Sequence, residues 1–304
     1  MTRLSPWPSL ALLACAVGIG LPWLIGDYYL TVALNLAMWI ALTQSWTILS
    51  GMAGYISLGH VVFFGIGAYC VVVTWQALPL FAAIPLAGLV AAVFAAVTGA
   101  PVLRVRGPYF VILTFGIAEL VKYIVINIEA SSGQASRLLF GTPSVKDLYL
   151  VMLALAVAAT ALAWAVRRSR LGSGLIAIRE DEEAAQTFGV PVTRFKVYAF
   201  VLAAVIPGMA GGTFVLRSTY FETMQVFDPV ISFSIVTMAI IGGSDDARGP
   251  VLGAGFLVVL SELLWSTLPQ LYLIVLGTLL VVFVLFLPGG LVGLLTRHKR
   301  MVAR

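Results

Sequence analysis

Apolar runs close to membrane-spanning length recur along almost the whole chain, and they restrict the fold more than any other feature. Ten can be marked, at 9–25, 28–50, 56–77, 79–100, 107–127, 148–166, 195–217, 229–243, 250–267 and 270–288. A run of about 20 apolar residues is what a helix needs to cross the hydrocarbon core. The mean hydropathy of +1.05 is far above that of a soluble domain. None of the runs shows the short alternating pattern of outer-membrane strands. The expectation is an all-α polytopic bundle of about ten transmembrane helices forming one domain over residues 1–304.

Charge orients such a bundle. With the N-terminus inside and ten spans, the inner side holds Arg3, Arg104, Arg106, Arg167, Arg168, Arg170, Arg179, Arg194, Lys196, Arg248, Arg297, Lys299, Arg300 and Arg304. Those are 14 of the 18 basic residues, leaving Lys122, Arg137, Lys146 and Arg217 outside. Positive charge inside sets both termini in the cytoplasm. The net charge of +5 is then a topology signal and calls for no nucleic-acid partner. A secretory or lipoprotein leader is the rival reading of residues 1–25, since Leu12-Leu13-Ala14-Cys15 resembles a lipidation site. The apolar run continues past Cys15, however, which favours a retained first helix. Cys15 and Cys70 both fall in spans and suggest neither a disulfide nor a metal site.

One stretch breaks the apolar pattern. Residues 167–196 form a polar island with four consecutive acidic residues, Glu180, Asp181, Glu182 and Glu183. Only 10% of the chain is charged, so this concentration must sit in water, on the cytoplasmic side by the charge rule. The counterpart outside is the loop 128–147.

The segment from Gly51 to Tyr69 is dense in glycine: Gly51, Gly54, Gly59, Gly65 and Gly67 would weaken an ordinary helix. Ser57 and His60 add polar side chains. Two readings stand. It is a broken helix beside a substrate pathway, since irregular backbone in a membrane must be buried in protein or line a wet cavity. Alternatively it is close small-residue packing, with His60 a satisfied structural donor. Gly54 and Gly59 approach a phosphate-binding loop, but His60-Val61 stands where Lys-Ser/Thr is required. Glu119 shares a helix face with Lys122, either as a pathway carboxylate or as a structural pair whose lysine snorkels outward. Glu262 is a weaker pathway candidate, and Asn35 and Gln44 read as helix–helix hydrogen bonds. A faint parallel repeat relates Arg106-Gly107-Pro108 with Glu119 to Arg248-Gly249-Pro250 with Glu262, each preceded by a glycine-dense helix (Gly65 and Gly67; Gly208 to Gly212).

Within the island, Glu183-Ala184-Ala185-Gln186-Thr187-Phe188-Gly189 fits the EAA-x-x-x-G loop of bacterial ATP-binding-cassette importer permeases. With Arg170-Leu171-Gly172, Arg179-Glu180-Asp181-Glu182 and Arg194-Phe195-Lys196 it resembles the LivM-type permeases of branched-chain amino-acid importers. Ser57-Leu58-Gly59-His60, Phe63 to Tyr69, Arg104 to Tyr109, Ile241-Gly242-Gly243 and Gly249 to Ala254 agree, so the likeness runs from about residue 28 to 295.

The resemblance implies a multi-pass permease subunit of the bacterial inner membrane, paired with a LivH-like permease. Two ATPase subunits would bind ATP and Mg, this chain carrying no cofactor, and a soluble binding protein would deliver the solute from outside. A short coupling helix would offer Ile176, Ala177, Ala184 and Ala185 to an ATPase groove, with Arg179, Glu182 and Glu183 setting register by charge and Gly189 closing the motif. Gly51, Gly54, Ser57, Gly59, His60, Gly65, Gly67, Tyr69 and Glu119 are the pathway candidates. The family pattern fails at Ser131 to Pro143, where a T-G-G-x-x-G-L-like segment is usual, and at Ser244 to Arg248. These departures leave urea, short amides and aromatic acids beside branched-chain amino acids as substrates. An ATP-independent secondary transporter or channel would account for the spans and Glu119 but not for the island. A scaffolding subunit would tolerate substitution of the glycines at 51–69.

Overall fold

The structure, a computed structural model, describes residues 17–133, 137–243 and 248–267, with scattered residues between 271 and 293. It is an all-α membrane protein. A helical stretch over 17–24 (α1) precedes α2 (Asp27–Trp46), which continues through a π-helical turn, Thr47–Gly51. Then come α3 (His60–Thr74), α4 (Leu80–Val102), α5 (Pro108–Ser131), α6 (Val145–Arg168), α7 (Arg170–Glu180), α8 (Glu182–Thr187) and α9 (Val192–Val215). The short α10 (Thr223–Val226), α11 (Pro229–Gly242) and α12 (Arg248–Thr267) follow.

Six helical segments among the described residues are long and apolar enough to cross a membrane: Asp27–Gly51, Leu80–Val102, Pro108–Ser131, Val145–Arg168, Val192–Val215 and Thr223–Gly242. The chain is therefore a multi-pass membrane protein. The expected spans at 28–50, 79–100, 107–127, 148–166, 195–217, 229–243 and 250–267 each meet a helix. Most of the span at 270–288, the start of that at 9–25 and both termini lie outside the described residues.

Local chemistry places the helix ends. Pro108 opens α5, where its missing N–H costs nothing. Ser144, Ser169, Asp181 and Asp228 cap α6, α7, α8 and α11 by accepting backbone N–H groups. Pro207 inside α9 removes the N–H that would bond the carbonyl of Ala203. Ser45 Oγ on α2 donates to that carbonyl instead, at 2.7 Å, so the defect becomes a bond between helices.

The core is a seam of small residues where α3, α4 and α9 meet. A β-carbon on Gly67 would overlap the carbonyl of Gly208, and one on Gly211 would overlap the carbonyl of Phe64. Ala87, Ala91 and Ala210 are fully buried beside them. With no water to drive helices together in lipid, backbone approach at small residues is what holds them.

Three expectations change. The span at 56–77 is not one helix: residues 54–59 are non-helical and α3 begins only at His60. The loop expected at 128–147 is shorter than that, because α5 runs to Ser131 and α6 starts at Val145. Between them a two-residue strand, β1 (Arg137–Leu138), pairs antiparallel with β2 (Tyr220–Phe221), tying that loop to the connection after α9. The island is not one short helix but two, α7 and α8, which meet at the extended residue Asp181.

Candidate functional site

The break at 54–59 draws the candidate residues together. Its backbone has no helical ladder, and every exposed polar group in lipid costs several kcal/mol, roughly, if left unpaired. Side chains from three helices, and one from the break itself, supply the partners. Trp46 Nε1 donates to the Ser57 carbonyl at 2.9 Å. Ser50 Oγ accepts from Ser57 N–H, Thr114 Oγ1 from Leu58 N–H, and Ser57 Oγ from Gly59 N–H. Ser232 Oγ on α11 donates to the Leu58 carbonyl at 2.7 Å and accepts from Val61 N–H at 3.3 Å.

A second interruption lies beside the first. Between α10 and α11 the chain bends at Phe227 and Asp228, and the Phe227 ring packs where a side chain at Gly65 would stand. Two discontinuous helices thus meet around α3, an arrangement known from transport proteins. His60 is fully buried, and neither ring nitrogen has a hydrogen-bond partner among the described residues. It is not the satisfied structural donor that one sequence reading made it. A narrow cavity beside it is lined by Gly59, Phe63, Phe94, Thr98, Thr114 and Phe200.

The island is bolted to this break. Arg179, in the last turn of α7, donates from Nη1 to the Gly51 carbonyl at 2.9 Å, at the π-turn. Gly54 takes φ +75°, and a β-carbon there would lie 2.9 Å from Arg179 Cγ. Both facts demand glycine. Glu182, the first residue of α8, accepts from Lys196 Nζ at 2.8 Å and from the Tyr55 hydroxyl at 2.5 Å, and pairs with Arg106 at 3.1 Å. Lys196 also donates to Tyr55 and to the Leu103 carbonyl, and its side chain is only 4% exposed. Burial pushes the Glu182 carboxyl upward, but the hydrogen bonds from Lys196 and Tyr55 and the charges of Lys196 and Arg106 outweigh it. The net effect holds Glu182 below the usual carboxylate range.

The residues expected to couple to a partner differ in exposure and bonding. Arg179 and Glu182 spend their polar groups within the chain, and Ala185, 4% exposed, packs into its core. Ala185 alone of the three is buried; Arg179 stays exposed and Glu182 half-buried. Glu183, Ala184 and Gly189 are exposed, and Asp181 Oδ1 accepts from the N–H groups of Glu183 and Ala184 to hold that turn. Phe188 is 88% exposed at the tip, and sequence reasoning passed over it as motif filler.

The opposite end of α3 carries a second polar cluster. Tyr69 donates to Glu129 Oε1 at 2.8 Å, and Arg137 binds both oxygens of Glu129 at 2.9 and 3.0 Å. Glu129 is 2% exposed and was not anticipated, although a carboxylate at the end of an apolar run was visible. Glu119 lies apart from this cluster and pairs with Lys122 on its own helix. Lys122 does not snorkel outward: it is the more buried of the two. Asn35 accepts from Arg217 at 2.7 Å, and Glu262 from Tyr28.

Residues 28–284 match the family described as branched-chain amino acid transport system / permease component. The high-affinity branched-chain amino acid transport system permease protein LivM of Salmonella typhimurium is 30% identical, over 90% of this chain and 72% of its own length. LivM of Escherichia coli is 29% identical over 92% of this chain and 73% of its own. A probable branched-chain amino acid transport permease protein LivH of Methanocaldococcus jannaschii is 27% identical over 53% of this chain and 47% of its own. No solved structure matches the chain. The family match extends from the start of α2 beyond α12, taking in both the broken segment and the island, and so the chain belongs to the permease-component family of branched-chain amino acid transport systems.

Proposed function

We propose that the chain is one permease subunit of an ATP-driven importer that carries branched-chain or other hydrophobic amino acids into the cytoplasm. As a member of a permease family it is a transport subunit and not an enzyme. In this reading it lies in the bacterial cytoplasmic membrane beside a LivH-like permease. Two ATPase subunits holding ATP and Mg dock on the island, and a soluble binding protein delivers the solute on the opposite side. The observation that carries the reading is the direct bonding of α7 and α8 to the broken segment at 51–59, through Arg179 to Gly51 and Glu182 to Tyr55. A force applied to the island has a rigid route to irregular backbone inside the bundle.

Reconstitution with the genomically neighbouring permease, ATPases and binding protein tests it. ATP-dependent uptake of radiolabelled leucine is expected, with urea, acetamide and phenylalanine as competitors. Gly189→Val or Glu183→Lys is expected to leave ATP hydrolysis and abolish uptake. Uptake that persists without ATP, driven by an ion gradient, would establish a secondary transporter instead.

A further inference from the structure

Two spans at the edge of the bundle differ in what they turn outward. α4 and α5 bury the same share of their central stretch, 33%. Every exposed side chain of α4 is apolar, from Phe81 through Leu89 and Val93 to Val97. Such a face suits acyl chains, which are as apolar as leucine. α5 buries a single ridge, Phe110, Thr114, Ala118, Lys122, Val125 and Glu129, and leaves its other side open. On that side Gly116, Tyr123 and Asn127 are exposed and Glu119 is half-buried, at spacings of three and four that stack them along the helix.

Depth makes this second face unfit for lipid. Glu119 is the twelfth of 24 residues in α5, so it lies roughly 17 Å from either end at about 1.5 Å per residue. That is the middle of the bilayer, where an ionisable side chain belongs against protein or water. Lys122 pairs with Glu119 but does not cover it: the Glu119 side chain stays 28% exposed. Asn127 Nδ2 donates to the Tyr123 carbonyl at 2.7 Å, which leaves the amide oxygen for another donor. Toward Ser131 the face hollows into an open groove lined by Leu120, Tyr123, Ile124, Asn127, Ile128 and Ser131. Its hydroxyl and amide groups are the partners that held water needs.

We propose that this face of α5 is one wall of a water-filled cleft whose other wall is the second permease. The proposal rests on the pairing put forward under the proposed function and adds the surface that meets the partner. A LivH-like partner is a relative of this chain, so the two can set like faces opposite each other across a pseudo-twofold axis. Water between them solvates the Glu119–Lys122 pair, which a hydrocarbon boundary would not. The apolar face of α4 remains against lipid.

Thiol labelling tests for water directly, because the thiolate is the reacting form and apolar surroundings suppress it. Leu120 and Leu89 are a matched pair: each is 60% exposed and lies near the middle of its helix. Leu120→Cys and Leu89→Cys are introduced singly into the full chain, with Cys15→Ser and Cys70→Ser removing the native thiols. Gly116→Cys on α5 and Val93→Cys on α4 form a second pair. Each protein is co-expressed with the genomically neighbouring permease, and a small charged thiosulfonate is applied to both faces of the membranes. The α5 thiols are expected to react about tenfold faster than the α4 thiols. In membranes without the second permease, lipid covers the face and the α5 rates are expected to fall to those of α4. Equal rates on the two helices in the paired state would overturn the cleft. Rates on α5 that stay high without the partner would overturn its closure by a second permease. Oxidative cross-linking of Leu120→Cys between two copies of this chain would put a second copy in the partner's place and overturn that assignment too. A melting temperature for each variant separates exposure from unfolding. The assay contains neither ATP nor solute, so failure of ATP-driven uptake is scored independently of it.

Discussion

Replacing Gly208 by alanine tests whether the α3–α4–α9 seam holds the bundle. A β-carbon at this position would lie 2.6 Å from the β-carbon of Ala91 and 2.8 Å from the carbonyl oxygen of Ala87, both on α4. Ordinary carbon–carbon contacts lie near 3.5–4.0 Å, so α9 and α4 must part by about 1 Å. Neither obstacle can swing away, since one is backbone and the other a methyl fixed to it. A gap of that size forfeits roughly a quarter to a half of each dispersion contact along the seam. Overpacking of this kind costs about 1–3 kcal/mol. Alanine's better helix propensity returns about 0.5–1 kcal/mol, so the net loss is about 1–2 kcal/mol. Gly116 on α5 supplies the control: it is exposed, with open space where its β-carbon would stand. There the propensity term acts alone, and Gly116→Ala is expected to stabilise by about 0.5–1 kcal/mol. Unfolding in mixed detergent micelles, followed by tryptophan fluorescence, reads both. Substitutions shifting stability in the same direction would refute close packing as the role of Gly208.

Three further outcomes follow from the island. Lys196→Met removes the cation from a buried pair, a change that costs about 3–5 kcal/mol when the partner is left uncompensated; because Arg106 still faces Glu182, a loss of about 2 kcal/mol is expected in the same unfolding assay. Glu182 has a folded-state pKa below its unfolded value, so its contribution is complete above about pH 4.5 and fades as pH falls through the lowered value. Stability measured from pH 7 downward should therefore drop less in Glu182→Gln than in the wild type. Phe188→Ala should leave the melting temperature unchanged while, if the proposed ATPase subunits dock on the island, weakening their co-purification by about 2 kcal/mol, or some thirtyfold, as loss of an exposed aromatic anchor does.

Much of the site was legible as segments and little of it as contacts. The glycine density of 51–69 marked the segment as unusual, because so many glycines would weaken an ordinary spanning helix. Whether those glycines mean a broken helix or close packing was undecidable in sequence, and both hold: residues 54–59 are irregular, while Gly67 abuts Gly208 on α9. The acidic run at 180–183 marked the island, but its four carboxylates look alike in sequence. Only the fold separates Glu182, buried against Lys196, from Glu183, which faces water. Tyr55 and Glu129 gave no periodic signal, since a hydrogen bond across 127 or 60 positions leaves no trace in local pattern.

Hydropathy and charge are sums over neighbouring residues, so the chain alone determined membrane class, helical architecture and the exceptional polarity of 167–196. The EAA-x-x-x-G spacing added a family, because a motif is a local property too. Tertiary structure decided which polar groups meet: that Arg179 reaches Gly51, that Lys196 and Tyr55 share Glu182, and that Tyr69 and Arg137 share the shielded Glu129. In a bilayer every buried polar group must find a partner, and that partner is chosen by the packing of distant helices.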